Sequence, residues 1–62
     1  MFIYLTQVIG VRENKTVVVN TNRISKMYPL GDANSPTSIY LYDDNKSMVV
    51  VEPLTKILSM IQ

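Results

Sequence analysis

The sequence predicts a small, mainly β domain: an antiparallel sheet of four or five strands, bent or closed into a small barrel, with one C-terminal helix. Three observations predict this α+β architecture. Runs of β-branched and aromatic residues alternate with polar turn-forming residues along most of the chain. The stretch Thr37–Glu52 has the form of a hairpin, with two such runs around Asp-Asp-Asn-Lys. The last ten residues change to the spacing of an amphipathic helix.

The first strand is predicted over Phe2–Val11, where residues of high β propensity follow one another. Alternation divides this strand into an aliphatic face that we expect to point to the core and a second, more aromatic face. The first set comprises Ile3, Leu5, Gln7 and Ile9, and the second comprises Phe2, Tyr4, Thr6 and Val8. A polar turn at Arg12–Lys15 then leads into a second strand, Thr16–Val19.

The middle of the chain has weaker signals. Asn22–Ser25 is predicted to form a tight turn or a single helical turn, because Asn and Ser side chains bond locally to the backbone. Ile24–Tyr28 is a candidate third strand, and Pro29 favours extended backbone for the residue before it. Leu30–Pro36 contains Gly, Asp, Asn and Pro, and it is predicted to be an exposed, mobile loop.

In the central hairpin, Ile39 and Leu41 alternate with Tyr40 and Tyr42, and Met48 and Val50 alternate with two further valines. The helix is predicted over about residues 53–61, with Pro53 at or near its first position. Its predicted apolar stripe follows the i, i+3, i+4, i+7 pattern, and Met60 falls off it. The stripe comprises Leu54, Ile57, Leu58 and Ile61.

Composition limits the possible functions. The 62 residues form one domain, and so short a chain buries only about 60% of its unfolded surface. The absence of Cys and His excludes disulfides and thiolate or imidazole metal sites, so stability must come from self-association or an unusually good core. No apolar run approaches the length of a membrane span. No signal peptide is recognisable, and cysteine-free composition suits a reducing cytoplasm.

One helix can cover only one face of the sheet, and the predicted second face remains apolar. Three interpretations stay open: the sheet curls into a barrel, the face packs against a second copy, or it binds a foreign protein or small ligand. The residues predicted to make such contacts are Tyr4, Tyr40, Tyr42, Met48 and Val50.

Candidate chemistry is sparse, and we predict no catalytic residues, no cofactor and no metal. Asp43, Asp44 and Asn45 offer oxygen ligands for a hard cation, but they are also good turn formers. Tyrosines beside basic residues suit base stacking, although a net charge of +1 argues against strong phosphate binding. The candidate anion contacts are Arg12, Arg23 and Lys26.

Four segments carry a resemblance to a known family. They are Leu5-Thr6, Val17-Val18-Val19-Asn20, Ile39-Tyr40-Leu41 and Val49-Val50-Val51-Glu52 before the short helix. This pattern resembles the small flagellar FlbD-type proteins, although Pro53 stands where that family has Ser. The resemblance implies a small cytoplasmic protein without catalytic residues.

We therefore predict a non-enzymatic binding or regulatory protein that acts through homo-oligomerisation and a protein or small-ligand partner. A phage-encoded or flagellum-related accessory protein fits this description. The alternative is a nucleic-acid-binding regulator with a tyrosine-rich, basic surface.

Overall fold

The computed structural model describes residues 1–43 and 45–62, and within them it contains a five-stranded antiparallel sheet and one C-terminal helix. The elements are β1 (Phe2–Gly10), β2 (Glu13–Asn20), a 3-10 turn (Thr21–Arg23), β3 (Ile24–Pro29), β4 (Thr37–Leu41), β5 (Ser47–Val50) and α1 (Leu54–Ile61). The strand order is β2-β1-β5-β4-β3, so β2 and β3 form the two edges. The predicted fold class is confirmed.

The sheet is bent, and it is not closed into a barrel. β1 pairs with β2 along its length, whereas its register with β5 contains the single pair Gln7–Val50. The 3-10 turn Thr21–Arg23 connects the end of one edge strand to the start of the other. Edges of a flat five-stranded sheet would lie about 19 Å apart, but a 3-10 turn advances only about 2 Å per residue. The sheet must therefore curl so that its edges approach each other.

The concave side of the bent sheet holds the core. Its buried apolar side chains are Ile3, Leu5, Val19, Ile39, Val50 and Ile57. The inward prediction was correct for Ile3, Leu5 and Ile39 but wrong for Ile9, which is half exposed. The register shifts between Val8 and Gly10, and such a bulge breaks the alternation of side chains before the strand ends.

The prediction that Met48 and Val50 share a face with the tyrosines is wrong. Val50 has 0% of its surface exposed, and Met48 packs against the core. Register explains the difference, because Met48 pairs with Ile39 and Val50 pairs with Thr37. Directly paired residues point to the same side of a sheet, so both belong to the concave side.

The predicted apolar stripe of the helix is correct for Ile57 and Ile61 and wrong for Leu58. α1 begins at Leu54, and Pro53 precedes it in extended conformation at the N-cap. Ile57 is fully buried, but Leu58, predicted to be buried, is 43% exposed. Met60, predicted to lie off the stripe, instead packs against the core with Ile61. Positions 57, 60 and 61 follow the i, i+3, i+4 spacing, so the predicted periodicity is confirmed, and the buried side is shifted from Leu58 toward Met60.

Two connections differ from the sequence prediction. The first hairpin turn is only Val11 and Arg12, because β2 already begins at Glu13. Arg12 has a φ of 63°, in the left-handed region that side chains disfavour. The predicted turn at Asn22–Ser25 is instead the 3-10 turn Thr21–Arg23, and the candidate third strand that follows is confirmed as β3.

Residues 30–36 form an exposed loop that is organised by hydrogen bonds. The Leu30 N–H donates to the Pro36 carbonyl at 3.0 Å and closes the loop at its ends. The Asp32 carboxylate accepts from the Asn34 N–H at 2.9 Å and from the Ser35 hydroxyl at 3.2 Å. Asp32 thus holds the turn in the manner usual for Asx residues.

Candidate binding surfaces

The outer side of the β1–β2 hairpin carries an apolar group that we call the hairpin patch: Phe2, Tyr4 and Val18. Their exposed fractions are 70%, 72% and 57%. Tyr4 pairs directly with Val18, and Phe2 follows Tyr4 at the next outward position of β1. Since an aromatic residue offers about 150–250 Å² of burial, the two exposed rings alone present roughly 300 Å². A patch of this size on a small monomer commonly marks an interaction site.

The outward strand positions next to the hairpin patch carry no charged side chain. The pairs Thr6–Thr16 and Phe2–Asn20 complete the outward positions next to the patch on these two strands. Val51 is exposed, and its N–H donates to the Thr6 carbonyl at 2.8 Å, which places its backbone against β1. A partner surface that covers the patch and these strand positions therefore meets no charged side chain on β1 or β2 that it would have to desolvate.

A second group, the tyrosine–lysine cluster, lies on β3 and β4 and comprises Lys26, Tyr28 and Tyr40. The Tyr28 hydroxyl donates to the Tyr40 hydroxyl oxygen at 3.0 Å. The ring centroids are 5.8 Å apart with an interplanar angle of 30°. The Lys26 Nζ lies 4.8 Å from the centroid of Tyr40, within the usual range of a cation–π contact. Lys26 also pairs with Tyr40 in the strand register, which fixes this arrangement.

The hydrogen bond between the two phenols shifts their pKa values in opposite directions. The hydrogen bond from Tyr28 lowers the pKa of Tyr40, with further contributions from the Ser47 hydroxyl and the Lys26 charge. The same hydrogen bond raises the pKa of Tyr28, because its proton is held by the Tyr40 oxygen. The oxygen of Tyr40 therefore accepts, and its own proton remains to be donated elsewhere.

Charged residues adjoin one end of the tyrosine–lysine cluster. Arg23 forms an ion pair with Asp43, and its carbonyl accepts from the Tyr42 N–H at 2.9 Å. Two of the predicted anion contacts, Lys26 and Arg23, are thus on or beside the cluster. The third, Arg12, occupies the separate turn between β1 and β2.

The five predicted contact residues fall in different places. Tyr4 is in the hairpin patch, Tyr40 is in the cluster, and Tyr42 is 71% exposed just after β4. Met48 and Val50 belong to the core side, as described above. Sequence reasoning missed Phe2, Val18 and Tyr28. Phe2 shares the alternation of Tyr4 and was recognisable from it, whereas the contact between Tyr28 and Tyr40 depends on the β3–β4 register.

Glu52 has a structural role at the point where β5 ends. Its two carboxylate oxygens accept the Thr6 N–H at 2.9 and 3.1 Å, and its carbonyl accepts from the Thr37 hydroxyl at 2.8 Å. Burial acts to raise the pKa of Glu52, but the backbone hydrogen bonds and the Lys56 charge outweigh it and lower the pKa. The ionised Glu52 carboxylate thus accepts the hydrogen bond of a β1 backbone N–H at the point where β5 has ended and offers no backbone partner.

Within residues 1–43 and 45–62, no group of three or more acidic residues is arranged to hold a metal ion, and no pocket is found. Asp44, one of the three turn residues with oxygen atoms that could bind a hard cation, lies outside the described residues. In the same part of the chain, no helix has the length and apolar character needed to cross a membrane. No protein-family model, curated protein or solved structure matches this chain.

Proposed function

We propose that this chain is a non-enzymatic binding protein that self-associates through the hairpin patch and offers other parts of its surface to a protein or small-ligand partner. The observation that carries the proposal is the exposure of Phe2, Tyr4 and Val18 as one contiguous group on the outer side of β1 and β2. Buried aromatic anchors dominate the energetics of protein interfaces.

A second copy fits the hairpin patch for reasons of symmetry and charge. In a two-fold dimer the same patch meets itself, and residues near the axis meet their own copies. A charged residue there would face a like charge, but the outward neighbours Thr6, Thr16 and Asn20 are neutral. An interface of standard size buries about 800 Å² per partner. The exposed rings supply roughly 300 Å² of this, and the polar neighbours can form the rim.

The size of the chain supports the same proposal. A domain of 62 residues without disulfides has little stability to spare. Association of folded chains adds stability that rises with protein concentration.

Sedimentation velocity from low micromolar to millimolar concentration tests this proposal. We expect the wild type, whose monomer has a mass of 7.1 kDa, to dimerise, and the double variant Phe2→Ser/Tyr4→Ser to remain a monomer with unchanged circular dichroism. Loss of even one anchor weakens an interface by 2 kcal/mol or more, which is about 30-fold in Kd. Tyr42→Ser is the matched control, since Tyr42 is equally exposed but lies outside the patch. A wild type that stays monomeric at millimolar concentration contradicts the proposal, as does an equal effect of the control.

The proposal includes a regulatory, accessory role in the cytoplasm. Its support is the resemblance of the sequence pattern to the FlbD-type proteins and the cysteine-free composition. A phage-encoded or flagellum-related origin stays a prediction on the same grounds.

A further inference from the structure

We propose that the tyrosine–lysine cluster is a stacking site for single-stranded nucleic acid, separate from the hairpin patch. This goes beyond self-association, because it assigns a ligand class to a different set of residues. The residues that carry it are Tyr28, whose ring is exposed, as the stacking surface, Tyr40 as the ring that holds Tyr28 in place, and Lys26 as the phosphate contact.

The two rings are held in place before any ligand binds. Tyr28 and Tyr40 are joined through their hydroxyls at 3.0 Å. The strand register sets Tyr28 beside the buried Ser38 and Tyr40 beside Ser47. Fixed rings lose little entropy when a base stacks on them, and stacking accepts any base because every base has a π face.

Two donors lie beside these rings. The Tyr40 hydroxyl accepts from Tyr28 and so keeps its own proton for an external acceptor. The Lys26 ammonium lies 4.8 Å from the centre of the same ring. A phosphate oxygen next to a stacked base could accept from both groups. A single-stranded nucleic acid supplies a base and a phosphate at this spacing, whereas a purely apolar peptide would leave both donors unused.

The charge of the site predicts the character of the binding. The outward positions of β3, β4 and β5 in the described residues carry Lys26 and no carboxylate; they are Lys26, Tyr28, Ser38, Tyr40, Ser47 and Val49. Arg23 adjoins them but is paired with Asp43. Because the site neutralises few phosphates, we expect stacking to dominate binding. The slope of log K against log salt concentration should then be shallow, about −0.7 per phosphate contact. Such a site is compatible with a net charge of only +1.

Fluorescence anisotropy with a labelled oligothymidylate of about 12 nucleotides, a length within the usual range for one small domain, tests the proposal on the full chain. We expect Tyr28→Leu to weaken binding about tenfold, the lower part of the range measured for loss of one stacking ring. Lys26→Gln is expected to reduce the salt slope by about 0.7. Tyr42→Leu, the exposed control outside the cluster, is expected to bind as the wild type does.

Two further probes keep the result interpretable. An abasic oligonucleotide of the same length retains the phosphates and removes the bases, so we expect it to bind far more weakly. Amide chemical-shift changes in the wild type should map to β3 and β4, whatever the stability of the variants. Phe2→Ser/Tyr4→Ser should bind like the wild type, so that failure of self-association and failure of this proposal are distinguishable.

Four outcomes would overturn the inference. Three concern the wild type: the absence of binding at millimolar protein, equal affinity for the abasic strand, and shift changes that map to the hairpin patch and not to the cluster. The fourth is equal affinity of Tyr28→Leu and the wild type.

Discussion

Adjacent residues of α1 provide a paired test of how the helix joins the core. Ile57 has 0% of its surface exposed, whereas Leu58 is 43% exposed. Ile57→Ala removes three buried carbons, worth about 0.8 kcal/mol each in transfer free energy, and leaves a cavity. The expected loss is about 3–4 kcal/mol. Leu58→Ala removes the same number of carbons from a half-covered site, so we expect a loss of about 1 kcal/mol or less.

Urea denaturation followed by circular dichroism measures both losses at one fixed protein concentration, because the proposed self-association would make the apparent stability concentration-dependent. A domain of this size has a stability of only about 3–5 kcal/mol. Ile57→Ala should therefore be largely unfolded in buffer, while Leu58→Ala keeps a complete transition. Ile57→Val, expected to cost about 0.5–1.5 kcal/mol, stays folded and gives a measurable value at the same site.

The order of these variants decides the argument. Equal destabilisation by Ile57→Ala and Leu58→Ala would mean that the helix presents a different side to the sheet. A negligible loss in Ile57→Ala and Ile57→Val would mean that α1 contributes little to the stability of the domain.

Two predictions concern single residues with unusual backbone or charge environments. Arg12→Gly should raise the free energy of unfolding by about 1 kcal/mol. The left-handed conformation costs a residue with a side chain about 1–2 kcal/mol, and glycine removes this cost but loses more backbone entropy on folding, which offsets part of the gain. An unchanged or lower melting temperature would contradict this prediction. Glu52→Gln should reduce the decrease in the free energy of unfolding that the wild type shows as pH falls into the acid range, since the carboxylate that binds the Thr6 N–H has a lowered pKa. A depressed folded-state pKa gives stability that is present above the unfolded value of about 4.3 and is lost as pH falls through the folded value. Parallel pH profiles for the variant and the wild type would show that the Glu52 charge has no such role.

Much of the fold was predictable from local patterns. The alternation of side chains in β1 and β4 placed Ile3, Leu5 and Ile39 inward, because a period of two depends only on extended backbone. The helix was recognisable from its 3.6-residue periodicity and from Pro53 before it. These signals lie within a few residues of sequence, and tertiary contacts did not override them.

The errors of the sequence-based prediction concern how one helix or strand is oriented against another. The phase of α1 depends on which side meets the sheet, and neighbouring Leu and Met residues allow two phases. The inward direction of Val50 depends on its pairing with Thr37 in β4, which alternation within β5 alone does not give. The contact of Tyr28 with Tyr40 likewise depends on register between strands separated by the loop over residues 30–36. Sequence reasoning therefore assigned the elements but did not orient them fully.

The bend of the sheet changes how its exposed aromatics relate to function. In a flat sheet, Tyr4 and Tyr40 would have belonged to one platform, and a single partner would have covered both. Instead, β1 and β5 share the single register pair Gln7–Val50, and the sheet bends between the hairpin β1–β2 and the other three strands. The neutral hairpin patch and the cluster with its lysine therefore lie on different strand groups and differ in chemistry. This difference is why we expect substitutions at Tyr4 to change association and substitutions at Tyr28 to change ligand binding, each without the other.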